Sequence, residues 1–144
     1  FVIMQGHAQI GADALTEAIE RVLSSHPDNE HEQDNRYALS FLEIAREIAG
    51  GHHEKWDGSG YPQGLAGNAI PLSARLMALA DVFDALVCKR HYKEAFSIEK
   101  SIDIIRQGRG QHFDPGIVDV FLANIDACVT IAERHADHHP GAST

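Results

Sequence analysis

Apolar residues recur every three or four positions along five stretches of the chain, which is the spacing of one face of an α-helix. This pattern predicts helices over about residues 8–24, 36–51, 73–88 and 98–107, and a last helix from residue 115 to about residue 135. No stretch alternates apolar and polar residues as a half-buried strand does. The predicted fold class is therefore all-α, a helical bundle-like domain.

Local signals mark the ends of three of these helices. Ser73 and Ser97 stand at N-cap positions, where a hydroxyl accepts a hydrogen bond from an unpaired backbone N–H. Asp114 and Pro115 form a cap followed by proline at the first helical position, and Gly108 is a stop signal. The residues expected to face inward from the helix over 98–107 are Ile98, Ile102 and Ile105.

The segments between the helices are polar or glycine-rich. Residues 25–35 hold one proline and no apolar anchor, so we expect a loop there. Residues 54–72 form a longer loop, and loops of that length in compact domains are usually functional or disordered. Its apolar residues predict an ordered lid, and they are Trp56, Tyr61, Leu65 and Ile70. We expect one domain over residues 1–134 and a polar tail over 135–144.

Composition narrows the class of protein. A chain of 144 residues has the length of one domain with a sizeable core, and its formal charge of −9 argues against a surface for nucleic-acid polymers. No apolar run reaches the roughly 18 residues of a membrane span. Two cysteines, Cys88 and Cys128, do not make a disulfide framework. We therefore expect a cytoplasmic protein without a membrane segment.

Candidate metal chemistry centres on His52 and His53, at the end of a predicted helix. Neighbouring residues on a helix point about 100° apart, so the pair suits two metal ions, one imidazole each. Gly58 and Gly60 would let the following loop fold tightly against such a site. The alternative is an ordinary helix-to-loop junction with a surface histidine pair. The preceding glycines at 50 and 51 either loosen the last helical turn or start the loop early.

Two further groups of residues carry candidate chemistry. Asp81 and Asp84 lie three residues apart on an apolar helix, where a carboxylate is costly to bury unless it is paired or binds a metal. The alternative is a salt bridge on the helix surface. Arg90 and Lys93 belong to a basic cluster that suits a phosphate clamp in this acidic chain, the alternative being solvated surface.

The string from His52 to Pro62 resembles the signature of the HD-GYP family, bacterial phosphodiesterases that hydrolyse cyclic di-GMP. The resemblance implies a fold of the HD phosphohydrolase superfamily, incomplete here at its N-terminus, and places an insertion at residues 25–35. It covers most of residues 1–125, continuing at Gly64-Leu65, Ile70-Pro71, Ala74-Arg75, Asp81 to Leu86, Arg90 to Lys93 and Phe113 to Pro115.

The resemblance also implies roles for single residues. The implied metal ligands are His7, His52, His53 and Asp81, although His7 taken alone fits a capping or surface histidine better than a ligand. The implied phosphate contacts are Arg90 and Lys93, and Tyr61 serves as a substrate contact or a structural hydrogen-bonding group. The residues expected to contact the metal ligands without binding the metal themselves are Glu54, Asp57 and Asp84. The alternative role for Asp84 is that of a partner of Arg75 or Arg90.

One departure from the family pattern is large. The His-Asp pair and the lysine that lie upstream of His7 in family members do not occur in this chain. We therefore expect the C-terminal part of a longer protein, with a receiver or sensor domain upstream. On this expectation residues 1–144 alone are inactive and tend to self-associate, because apolar residues such as Ile10, Ala14 and Ile19 lack cover.

The expected cofactors are two or three divalent transition-metal ions, Fe or Mn first and Zn as an alternative. A two-metal centre would clamp the scissile phosphate of cyclic di-GMP and activate water, giving linear pGpG or GMP. A rival function is a catalytically degenerate cyclic-dinucleotide receptor or a docking module for signalling proteins. A second rival hydrolyses another cyclic dinucleotide. A homodimer is left open.

Overall fold

A computed structural model describes residues 2–25, 32–88 and 96–136, and these residues are mostly helical. No strand occurs within these ranges, where the only sheet-like pairings are the isolated bridges Asp57–Ala66 and Arg109–Phe113. The predicted all-α class is therefore confirmed. The helices are α1 (Val2–Ser25), α2 (Glu32–Gly51), α3 (Leu72–Val87), α4 (Ile98–Gln107), α5 (Pro115–Ala123) and α6 (Ile125–Ala136), with a short 3₁₀ turn at Gly67–Ala69.

The first two helices begin earlier than predicted. Helix α1 starts at Val2 rather than near residue 8, so the expectation that His7 precedes the helix is wrong. Helix α2 starts at Glu32, inside the segment predicted to be a loop. Its first residues are polar and show no apolar periodicity in the sequence, so the pattern did not predict a helix there. The rest of the predicted insertion, residues 26–31, lies outside the described residues.

Two of the three predicted caps are confirmed. Ser97 Oγ accepts the Lys100 N–H at 3.2 Å, and Asp114 Oδ1 accepts the Gly116 N–H at 2.8 Å. Ser73 is not a cap, because α3 already begins at Leu72. Its hydroxyl instead donates to Glu47 Oε2 on α2 at 2.5 Å, which ties α3 to α2.

The predicted last helix is broken at Asn124. Helices α5 and α6 meet there at a bend of 75°. The Asn124 side-chain amide donates to the Val120 carbonyl at 2.8 Å, a local bond that competes with continuation of the helix. No single helix in the described ranges is long and apolar enough to cross a membrane; α5 and the first part of α6 reach that length and apolarity only together.

The chain folds as two compact units, Phe1–Met77 and Ala78–Thr144, with the division inside α3. The second unit has an apolar core in which Phe83 and Phe121 meet edge to face at 5.0 Å. Helices α5 and α6 pack on this core through their apolar side chains, including Leu122, Ile125 and Val129. The buried core residues are Leu79, Phe83, Ile105, Phe113, Val118 and Phe121. The prediction of one domain over residues 1–134 stays a prediction.

In the first unit, α1 and α2 approach closely at small residues. A Cβ added at Gly11 would lie 3.4 Å from Ala49 Cβ, and one added at Gly50 would lie 3.3 Å from Ala12 Cβ. Gly51 is buried, and an added Cβ there would lie only 2.8 Å from Ala74 Cβ on α3. Gly50 and Gly51 thus remain within α2 and allow close packing. They neither loosen the last turn of the helix nor start the following loop early.

Several apolar side chains of the first unit are exposed. Ile10 on α1 is 70% exposed and Ala14 is exposed, as expected, whereas Ile19 is buried at 7%, so the expectation for Ile19 is wrong. Tyr37 and Phe41 on α2 are 71% and 70% exposed. These two residues lie one helical turn apart and mark an uncovered apolar face of α2.

Candidate metal centre

The histidine cluster forms where α2 ends. Helix α2 stops at Gly51, although the His52 N–H still donates to the Ile48 carbonyl at 3.1 Å. His52 and His53 therefore occupy a turn rather than a continuing helix, and their ring centroids lie 3.9 Å apart. His7 on α1 completes the cluster, with its Nε2 at 3.0 Å from His53 Nε2. One ligand atom from each of the three histidines lies within 4.8 Å of the others.

This geometry fits a transition-metal ion. Two nitrogens each about 2.1 Å from one ion are about 3.0 Å apart at a right angle and about 3.4 Å apart at a tetrahedral angle. The 3.0 Å between His7 and His53 is within that range. Without an ion, the same distance is a hydrogen bond in which one ring donates. The prediction that His52 and His53 serve separate ions stays a prediction.

His52 shows the orientation expected of a metal-binding imidazole. Its Nδ1 lies 2.8 Å from the Ile48 carbonyl oxygen. Since a carbonyl can only accept, Nδ1 is the donor in this contact, and in the neutral imidazole this leaves the lone pair on Nε2. A ligating histidine commonly donates its other N–H to a carbonyl, which fixes both tautomer and ring orientation. The last turn of α2 thus prepares His52 for a cation at Nε2.

The loop after the cluster folds back onto the end of α2. Gly58 has a φ of +81°, which confirms that a glycine is needed there for its backbone angle. Gly60 is needed for space: an added Cβ would lie 2.4 Å from Lys55 N and 2.6 Å from Glu54 Cα. The loop backbone therefore crosses directly over the backbone of Glu54 and Lys55, next to the histidines.

Tyr61 covers one face of His53. Its N–H donates to the His53 carbonyl at 3.2 Å, and its ring stacks on the His53 imidazole with centroids 4.8 Å apart and planes at 27°. The structure thus gives Tyr61 a contact with a candidate metal ligand. The predicted contact between Tyr61 and substrate stays a prediction.

Glu54 is the most buried polar residue of the loop, at 2% exposed. Its carboxylate accepts the Gln63 N–H at 2.7 Å and the Leu65 N–H at 3.1 Å. Sequence reasoning placed Glu54 behind the ligands by resemblance but missed these bonds. The only signal in the sequence that Glu54 has a role at the site was its position immediately after two histidines, because apolar periodicity does not predict contacts within a loop.

Asp57 organises the exposed tip of the loop. Its Oδ1 accepts the Ser59 hydroxyl at 2.6 Å and the Ser59 N–H at 2.9 Å. Both hydrogen bonds lower the pKa of Asp57 below its usual value, and the one from the Ser59 hydroxyl has the larger effect. The described contacts of Asp57 are therefore with the loop, and its predicted place behind the ligands stays a prediction.

The remaining predicted site residues belong to the second unit or lie outside the described residues. Asp81 and Asp84 are both exposed on α3, and Asp84 Oδ1 accepts the Cys88 thiol at 3.3 Å. Arg90 and Lys93 fall within residues 89–95, which lie outside the described residues. The structure therefore brings together His7, His52, His53 and Tyr61, and the roles predicted for the others stay predictions.

The sequence of residues 5–117 matches the HD domain family. The chain belongs to this family. The HD domain of the present chain thus extends from helix α1 through the histidine cluster and its loop into α5. HD-domain phosphohydrolases depend on metal ions, in agreement with the histidine cluster described above.

Three curated relatives resemble this HD domain over most of its length. A cyclic di-GMP phosphodiesterase of Vibrio cholerae is 52% identical over 137 residues, which are 95% of this chain and 25% of that protein. A cyclic di-GMP phosphodiesterase of Thermotoga maritima is 39% identical over 147 residues, covering 99% of this chain and 35% of that protein. The 3′3′-cGAMP-specific phosphodiesterase 2 of Vibrio cholerae is 42% identical over 131 residues, or 91% of this chain and 22% of that protein.

The chain spans about a quarter to a third of the length of these relatives. All three relatives are named as phosphodiesterases of cyclic dinucleotides. The predicted resemblance to the family of cyclic di-GMP phosphodiesterases is therefore confirmed.

Proposed function

We propose that this HD domain belongs to a metal-dependent phosphodiesterase that hydrolyses cyclic di-GMP to pGpG or GMP in bacterial second-messenger signalling. The observation that carries the proposal is the convergence of His7 on the His52-His53 pair, within 4.8 Å. The identity of 52% and 39% to relatives named cyclic di-GMP phosphodiesterases supports the choice of substrate. A degenerate receptor is not favoured, because the three histidines keep a geometry that suits a cation.

We assign two or three divalent transition-metal ions to the site, with Fe or Mn first and Zn as the alternative. The proposed ligands are His7, His52, His53 and Asp81, a mixture of imidazole and carboxylate that suits all three metals. When bound, such ions lower the pKa of water and offset the charge of a phosphate. The assignment of Asp81 rests on the family resemblance.

The proposed roles of the chain's own residues are to orient the metal ligands and to bind the substrate. The last turn of α2 holds the His52 ring through the Ile48 carbonyl, and the loop holds Tyr61 against His53. We propose that Arg90 and Lys93 bind phosphate oxygens of the substrate. The chain carries a formal charge of −9 and repels an anion on average, so local cations are needed to retain it.

The proposal also covers the cellular location and the partners of the protein. We place the protein in the cytoplasm, where Cys88 and Cys128 would remain reduced; neither forms a disulfide in the part of the chain that the structure describes. Signalling proteins and a second copy of the chain are the proposed protein partners. Neither a membrane surface nor a nucleic-acid polymer is proposed as a partner.

The test combines metal analysis with hydrolysis in the intact protein. The protein is purified anaerobically with Fe or Mn, its metal is counted by elemental analysis, and cyclic di-GMP turnover is followed by chromatography. We expect at least one ion per chain and turnover of cyclic di-GMP. His53→Ala should lower the metal count and abolish turnover without unfolding, because it removes one of three converging imidazoles.

His112→Ala is the matched control, since His112 is not one of the three converging histidines and its ring stacks on Phe113 with centroids 4.2 Å apart. It should keep the metal. A wild-type protein with less than one ion per chain contradicts the proposal. Faster turnover of 3′3′-cGAMP than of cyclic di-GMP would keep the enzyme and replace the substrate, as the 42% identity to a cGAMP-specific relative allows.

A further inference from the structure

The buried carboxylate of Glu54 needs a physical explanation. A charged group at 2% exposure is unfavourable unless hydrogen bonds compensate for lost water. Here both oxygens are used, one by the Gln63 N–H and the other by the Leu65 N–H. Hydrogen bonds to an ionised acceptor are the stronger kind, so this carboxylate anchors the loop to the end of α2. An apolar residue would fill the same space but would leave both N–H groups unpaired.

The anchored segment is the one that carries Tyr61. Gly60 crosses the backbone at Glu54 with no room for a Cβ, and the Tyr61 N–H donates to the His53 carbonyl at 3.2 Å. The Glu54 bonds to Gln63 and Leu65 follow directly along the chain. Residues 60–65 are thus held at three successive points, and the result is a Tyr61 ring stacked on His53 at 4.8 Å.

We propose that Glu54 is a positioning residue that acts through Tyr61 to fix the imidazole of His53. The terminal torsion of a histidine side chain is broad, so its ring direction needs support from its surroundings. A stacked phenol restricts that torsion and keeps His53 Nε2 at 3.0 Å from His7 Nε2. The proposal rests on the proposed function in so far as His53 is a metal ligand.

Glu54 does not itself fit the role of a ligand. The described group of ligand atoms within 4.8 Å consists of His7, His52 and His53, and Glu54 is not part of it. Both carboxylate oxygens already accept backbone N–H groups of the loop. Its effect on a cation is therefore indirect, through the face of His53 that Tyr61 covers.

The first arm of the test needs no metal and no activity. The intact protein is labelled with ¹³C-histidine and stripped of metal, and the His53 ring resonances are assigned by their loss in His53→Ala. Because His53 lies on the face of an aromatic ring, we expect its ring protons to be shifted upfield. Glu54→Gln should remove that shift, since its NH₂ would face one of the two backbone N–H donors.

The second arm measures affinity for Mn²⁺ by competition with a chelator. Changes behind a metal ligand typically lower affinity about 10- to 100-fold, and we expect a loss of this size for Glu54→Gln and for Tyr61→Ala. If Glu54 acts through Tyr61, the double variant should lose no more than either single variant. Tyr61→Phe keeps the ring and should retain affinity.

Ser59→Ala is the matched control, since it removes a hydrogen bond to Asp57 in the same loop but outside the anchored segment. It should change neither the His53 resonances nor the affinity. Additive losses in the double variant, an unchanged His53 shift in Glu54→Gln, or a lost shift with full Mn²⁺ affinity would each overturn the positioning role. A wild-type protein that binds no Mn²⁺ contradicts the proposed function instead, while the His53 shift still reports whether Glu54 holds Tyr61.

Discussion

At the scale of single residues, the end of α2 decides what two neighbouring histidines can do. Along a continuing helix, His52 and His53 would point about 100° apart. Because α2 stops at Gly51, the two rings lie only 3.9 Å apart, and His7 joins them from α1. A local departure from helical geometry thus turns a pair of sequence neighbours into a cluster that fits a cation.

The basic residues after α3 give a prediction at the same scale. We expect Arg90→Ala in the intact protein to weaken cyclic di-GMP binding or turnover more than His91→Ala does. Loss of a charged hydrogen-bonding partner typically costs about 1.5–3 kcal/mol, or about 10- to 100-fold in an equilibrium constant. Binding is measured by calorimetry and turnover by chromatography. Equal and negligible effects of both changes would show that the basic cluster is ordinary surface.

The sequence predicted some features of the candidate site but not others. The histidines were found through a family signature, but their convergence depends on where α2 ends and how α1 crosses it, which periodicity does not contain. Glu54 was expected behind the ligands, yet its two bonds run to residues nine and eleven positions later. Such contacts depend on the path of a loop, and a loop has no repeating pattern from which that path could be predicted.

At the scale of elements, small residues let the helices of the first unit approach closely. Gly11 and Gly50 lie at the α1–α2 crossing, and Gly51 lies against Ala74 of α3. The crossing is four residues from His7 on α1 and two from His52 on α2, so it sets how near the imidazoles come. Larger side chains at these positions would separate the helices that carry the histidines.

Gly51 and Gly6 form a matched pair for testing this packing. An alanine at Gly51 would place its Cβ 2.8 Å from Ala74 Cβ, whereas an alanine at Gly6 would meet nothing within 4 Å. We expect Gly51→Ala to lower the free energy of unfolding by about 1–3 kcal/mol through overpacking. Gly6→Ala should raise it by about 0.5–1 kcal/mol, because alanine is the better helix former.

Chemical denaturation followed by circular dichroism measures both changes to glycine. A stabilised Gly51→Ala variant would show that α2 and α3 can shift apart at no cost. In that event, close packing would not be the reason for glycine at this position.

The helix ends show what local sequence can and cannot predict. The starts of α4 and α5 were predicted correctly, because Ser97 and Asp114 bond to backbone N–H groups two or three residues away. The start of α2 was missed, since its first residues are polar and show no apolar face. The break at Asn124 was missed because the apolar periodicity continues across it, although the helix axis turns by 75°.

At the scale of the whole molecule, net charge and exposed apolar surface act in opposite directions. A formal charge of −9 keeps copies of the chain apart. Tyr37 and Phe41, both about 70% exposed on one face of α2, favour association. Salt screens the repulsion but not the apolar contact, so self-association should increase with ionic strength.

Phe41 gives a direct test of that balance. We expect residues 1–144, expressed alone, to self-associate at 0.15 M salt, and Phe41→Glu to shift them toward monomer. Sedimentation velocity measures the distribution of species. Val120→Glu is the matched control, because Val120 is 65% exposed on α5 but lies outside the α2 face. A monodisperse wild-type chain, or an equal effect of both changes, would contradict the assignment of the α2 face.

Trp56 gives the loop a further property. It is the only tryptophan of the chain, it lies three residues after His53, and the Arg75 guanidinium lies 5.8 Å from its ring centroid. The fluorescence of an indole responds to nearby charge and to water. Any movement of the loop past Arg75 should therefore change the emission wavelength and intensity of Trp56. The protein thus contains its own fluorophore in the loop that follows the histidine pair, and ligand titrations can be followed by its fluorescence without a label.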